Sequence, residues 1–170
     1  MSNWERHHKA TNQEQLTVLK ILLTINALMF FVELASALLS DSTALMADSL
    51  DMLADATVYG IGLYAVGKSA LQKAQIAYFS GILEVILGLG AGLKVFHKFL
   101  FGSEPESVFM IVIGILALIA NVICLKLIYQ HRNGDIHMRA SWIFSKNDVL
   151  ANLGVVIAGF LVWWLDSQPA

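Results

Sequence analysis

Hydrophobic and polar positions divide the chain into five long apolar runs: Leu16–Leu39, Thr43–Val66, Ala74–Phe96, Val108–Tyr129 and Trp142–Leu165. Each reaches the roughly 20 residues that a helix needs to cross a hydrocarbon core about 30 Å thick. No alternating ten-residue pattern of a membrane barrel appears, and isolated strands would leave their backbone unsatisfied in lipid. The pattern predicts an all-α polytopic bundle of five transmembrane helices. Ser40-Asp41-Ser42 reads as a tight turn, and Gly102-Ser103-Glu104-Pro105 separates the third run from the fourth. Asn133-Gly134 marks a turn within Gln130–Arg139. Residues 1–15 form a polar tail without the apolar core of a cleaved signal, and residues 16–170 form the membrane domain.

Composition agrees with the pattern. Of 170 residues 57% are hydrophobic and 14% charged, and mean hydropathy is +0.66. Soluble domains carry about 25% charge, so a soluble enzyme, a disordered chain and a disulfide scaffold are excluded. A net charge of −2 gives no basic patch, and no nucleic-acid partner is expected. Cys124, the single cysteine, lies in an apolar run and reads as packing. Arg6, Lys9, Lys20, Lys68, Lys73, Lys126, Arg132, Arg139 and Lys146 fall at span ends on one side, and Lys94 and Lys98 on the other. The positive-inside rule then puts the N-terminus in the cytoplasm, and five spans leave the C-terminus outside; a bacterial inner membrane is the expected location. Trp142, Trp163 and Trp164 flank the fifth span as interfacial anchors.

The chemistry lies in the charged minority. Glu33, Asp48, Asp51, Asp55, Glu84 and Asp148 all fall inside proposed spans, where each costs about 2.5–3.5 kcal/mol on insertion scales. Too few embedded cations exist to pair them, so an ion from outside is the natural counter-charge. Asp48, Asp51 and Asp55 lie within about 60° of one another around the second helix. Repulsion among them is relieved by a divalent cation, which Asp51 and Asp55 can share at a four-residue spacing. Asp148 and Asn152 share a face of the fifth helix. At about 1.5 Å per residue, Asp51 and Asp55 lie about 12 and 18 Å from the outer surface. Asp148 and Asn152 lie about 9 and 15 Å from the inner one, so the four interleave near the midplane.

At these residues the chain resembles the cation diffusion facilitator family, which exchanges divalent metal ions for protons. The run from Asn26 to Glu33, followed by Ser40-Asp41-Ser42-Thr43-Ala44-Leu45-Met46-Ala47-Asp48-Ser49, is similar to its first two helices. Asp51 and Asp55 match its second-helix metal pair; Arg139-Ala140, Asp148 and Leu153-Gly154-Val155 match its fifth helix. The resemblance implies a metal/proton antiporter that exports cations through a site between helices 2 and 5, works as a homodimer and needs no organic cofactor. Phe144 stands where the family has its first fifth-helix ligand, so Asp51, Asp55 and Asp148 carry over. Asn152 is the choice for a fourth oxygen, with Asn147 second. An all-oxygen set shifts preference from zinc toward manganese, iron or magnesium, with zinc still possible through carboxylates and water. The family has six helices, commonly with a cytoplasmic domain after them; this chain stops where the sixth would begin. The alternative is therefore a truncated or non-transporting subunit whose bundle a partner completes.

Other residues read more plainly. Asn26 suits a helix–helix hydrogen bond, and Glu33 serves equally as a proton site or a structural acid. Asn121 and the Gly88/Gly92 pair read as packing, while His7 and His8 belong to a solvated tail. His131 and His137 lie in the cytoplasmic connector, too few for a metal-gathering loop. Asp48-x-x-Asp51 is followed by Met52 rather than Gly, which separates the chain from metal-dependent alcohol phosphatidyltransferases. No enzymatic activity is expected.

Overall fold

A computed structural model describes residues 3–40, 43–101 and 108–166. Among these described residues there are five α-helices: α1 (Asn3–Ser40), α2 (Thr43–Ala65), α3 (Ala70–Phe101), α4 (Val108–Ile128) and α5 (Ile136–Asp166). A short 3-10 turn, Tyr129–His131, follows α4. The turn at 41–42, the connector at 102–107 and residues 167–170 lie outside the described residues. So do the side chains of Arg6, His7, His8, Lys94, Lys98, Trp163 and Trp164, and the surroundings of Gly92.

The helices are unbroken because neither proline, Pro105 nor Pro169, falls within one. Three run well past the apolar stretches: α1 begins at Asn3, α3 at Ala70 and α5 at Ile136. Hydropathy registers only the lipid-depth part of a helix, and the polar turns at the ends are invisible to it. The α2–α3 turn has a stated chemistry. Gly67 adopts a positive φ of 77°, which a side chain would resist. Ser69 then caps α3: its Oγ accepts from Gln72 N at 3.4 Å, while Ser69 N donates to Gln72 Oε1 at 3.2 Å.

Three apolar clusters stack along the bundle. At one end Leu19, Leu22, Tyr59, Cys124, Ile128 and Met138 pack together. In the middle are Met29, Met52, Ala117 and Ala120. Ala37, Leu45 and Ile113 close the far end. Numbers rise along α1 through these layers and fall along α2 and α4, so both run antiparallel to α1. α2 packs on α1 at Gly62, where a Cβ would stand 3.4 Å from Leu19 Cδ2, an ordinary contact. α3 lies against α2 and α5, and its other face leaves Tyr78, Ile82, Val85, Ile86, Leu89 and Leu93 exposed.

Among the described residues, Lys9–Leu39 and Val112–His131 are long and apolar enough to cross a membrane. In α2 the three aspartates lower the apolar character; the same residues that suggest chemistry blunt the span signal.

Candidate functional site

Between the first two apolar clusters the helices place a polar layer. Asn26 falls between Leu22 and Met29 on α1, Asp55 between Met52 and Tyr59 on α2, and Asn121 between Ala120 and Cys124 on α4. From α5, Asp148 reaches the same level. Asp55 and Asp148 are both buried, at 3% and 6% exposure. Their carboxyl groups come within hydrogen-bonding range of each other. Two carboxylates tolerate that approach only when a proton or a cation lies between them. Asp148 Oδ2 has no hydrogen-bond partner, so the layer retains unspent acceptor capacity.

The other residues singled out from the sequence stand around this pair at different depths. Asp51, one turn from Asp55, is exposed at the α2 surface yet in electrostatic range of both. Asp48 is half-buried. Asn152 is half-buried, with its Nδ2 enclosed and unpartnered, and Asn147 is exposed. Phe144, one turn before Asp148 on α5, is buried. Among the described residues no three His, Cys, Asp or Glu side chains converge closely enough to hold a metal. The structure thus brings Asp55 and Asp148 together and leaves Asp51 and Asn152 beside them.

Asn26 Nδ2 donates to Leu22 O at 2.9 Å and lies 3.5 Å from Cys124 Sγ, linking α1 to α4, while its Oδ1 is unpartnered. A second polar level lies between the middle and far clusters. There Glu33 is fully buried, neither of its oxygens has a hydrogen-bond partner, and its charged neighbours are Asp48 and Asp51.

Comparison with protein-family models matches residues 19–169 to the cation efflux transmembrane domain. The chain belongs to the cation efflux family. It is a membrane protein and a cation transporter of the cation diffusion facilitator kind. Comparison with curated proteins found no match.

Two features of this cation efflux protein are not evident in its sequence, the first being which residues surround Glu84. Glu84, which stands alone among the glycines of α3, lies in electrostatic range of Asp51, Asp55 and Asp148. The signal was present in helical phase: Lys73, Ala77, Ser80 and Glu84 share one face of α3. The second is a clasp at the basic end of the bundle. Lys73 Nζ lies 2.7 Å from Asp135 Oδ2, which also accepts from Gln15 Nε2 at 2.9 Å, tying α3 and α1 to the start of α5. Partial burial would raise the Asp135 carboxyl, but the bonds from Lys73 and Gln15 hold it below the ordinary range. His137, expected in a solvated connector, is instead buried with both ring nitrogens unpartnered. Burial pushes its imidazole down to about 4, the Lys73 charge adding to the effect and Asp135 opposing it.

Proposed function

We propose that this cation efflux protein exports a divalent metal ion from the cytoplasm in exchange for protons, through a carboxylate site between α2 and α5. The observation that carries this reading is the buried approach of Asp55 to Asp148 from two antiparallel helices, with Asp51 one turn away. A metal ion arriving from the cytoplasm takes the place of the proton that this pair must otherwise share. Movement of α2 against α5 brings Asp51 onto the same ion, and the Asn152 carbonyl oxygen completes the set. Three carboxylates around a divalent ion leave one net negative charge, so reprotonation from outside releases it. Glu33, on the far side of Asp51, serves as a proton station on that path. The all-oxygen donor set and the buried Phe144 favour hard cations such as manganese, iron or magnesium over zinc.

Metal uptake into inverted membrane vesicles tests the proposal. Asp55→Asn and Asp148→Asn should each abolish uptake of manganese and the alkalinisation of the vesicle lumen that accompanies it. Wild-type uptake in both variants would overturn it.

A further inference from the structure

Glu84 lies three turns along α3 from Lys73, and its height in the bundle can be read from two anchors. The Lys73–Asp135 contact ties α3 to the start of α5. Above it, Glu84 stands about 16 Å up α3 and Asp148 about 20 Å up the parallel α5, at 1.5 Å per residue. The second anchor is the α2–α3 turn. Counting from Ala65 and Ala70, which flank it, Asp51 and Glu84 both lie about 21 Å away and Asp55 about 15 Å. Joined through Glu84, the two counts put Asp51 level with it, Asp55 about 6 Å nearer the α2–α3 turn and Asp148 about 3–4 Å beyond, so Glu84 lies at a depth between those of the buried pair. Glu84 is half-buried on the α3 side that packs against α2 and α5, while the opposite side carries the exposed apolar residues.

A carboxylate at this depth costs about 2.5–3.5 kcal/mol unless something compensates it. Among the described residues no lysine, arginine or histidine forms an ion pair with Glu84. Its charged neighbours are all acids. One of them, Asp148, is more than nine-tenths buried and presents an unpartnered oxygen within the cluster. The four also form a gradient of exposure: Asp51 open, Glu84 half-buried, Asp55 and Asp148 enclosed.

We infer that Glu84 is a fourth carboxylate of the ion site, joining Asp51 to hold the divalent cation after it has reached Asp55 and Asp148. The inference rests on the carboxylate site proposed above and extends it to α3. Its role is that of a positioning charge. It steadies the ion on the Asp51 side of the site as the ion moves outward from the buried pair.

Manganese titration of the full chain in detergent by calorimetry tests this, with Glu84→Gln, Glu84→Asp and Asp55→Asn compared with wild type. Glu84→Gln should weaken manganese binding about tenfold, and Glu84→Asp should hold it within about threefold of wild type. Asp55→Asn should abolish binding. Wild-type affinity in Glu84→Gln with binding lost in Asp55→Asn overturns the role of Glu84 and leaves the α2/α5 site standing. Wild-type affinity in both variants removes the site as well. Equal loss in the Gln and Asp variants marks a packing role and also overturns the inference. Should the variants not fold, carbodiimide modification of Glu84 in the wild-type protein should be blocked by saturating manganese; unchanged modification overturns the inference.

Discussion

On the proposed site, Phe144 is the residue whose replacement should change ion preference most. It sits one turn before Asp148 on α5, so its side chain shares that residue's face, and its burial denies the site a fourth strong donor. An imidazole there would add a nitrogen ligand without moving a helix. Phe144→His should therefore raise zinc affinity relative to manganese by about tenfold, because nitrogen donors favour zinc. The cost is lost apolar packing, about 1–3 kcal/mol for a buried aromatic replaced by a smaller polar ring. Competition titration of the two metals against wild type and variant checks the shift. An unchanged ratio would mean that position 144 does not face the ion. Asp51 shows how fine the residue scale is: about 40° of helix rotation separates it from Asp55, yet one is exposed and the other enclosed.

At the scale of elements, the clasp of Gln15, Lys73 and Asp135 fixes where α1, α3 and α5 meet, and its chemistry is open to measurement. Lys73 is largely covered and Asp135 about one-third exposed, at 12% and 37% of their side chains, so the pair is partly screened. A double-mutant cycle with Lys73→Met and Asp135→Asn should give a coupling of about 0.5–1 kcal/mol in thermal unfolding. The neighbouring His137 supplies a pH dependence. Its ring is held down to about 4 against an ordinary 6.5. Between those values the unfolded chain takes up a proton that the fold refuses, so stability falls as pH drops through this window. Asp135, held low, contributes only at pH values near and below its ordinary 3.8, so it does not supply this slope. At about 1.4 kcal/mol per unit, wild type should lose about 1–2 kcal/mol between pH 7 and 5 relative to His137→Met. Equal slopes in the two proteins would remove His137 as the cause. None of this clasp was legible in the sequence. The apolar cores of the helices were, because hydropathy follows lipid depth, and so were the in-span acids, because charge there is costly. The convergence of Glu84 on three acids from two other helices, the burial of His137 and the extension of α1 back to Asn3 are not coded locally. They arise from which helices are neighbours and at what height, and helical phase alone narrows that choice without making it.

The whole molecule is polarised. Nine of its eleven basic residues map to the end where Leu19, Ile128 and Met138 close the bundle, and the clasp and both short connectors α2–α3 and α4–α5 lie there too. The positive-inside rule predicts that this end faces the cytoplasm, and on the proposed function that sets the direction in which an ion meets Asp55 and Asp148. Cys124, the sole cysteine, makes the orientation measurable, because at 1% exposure it gives no background to a thiol reagent in the folded protein. Asn133 and Ser69 are exposed in the two connectors, and Asn133→Cys and Ser69→Cys place a single reactive thiol in each. A membrane-impermeant maleimide should label both variants in inverted vesicles and neither in intact cells. Labelling of both from outside would reverse the orientation and, with it, turn export into uptake. Labelling from opposite sides would show that α3 and α4 do not both cross, because only two crossings return the chain to the side it left. The result therefore bears on mechanism as much as on topology. The Asp55–Asp148 pair lies next to the cluster that closes the basic end, so the side labelled at Asn133 is the side from which the buried carboxylates are first reached.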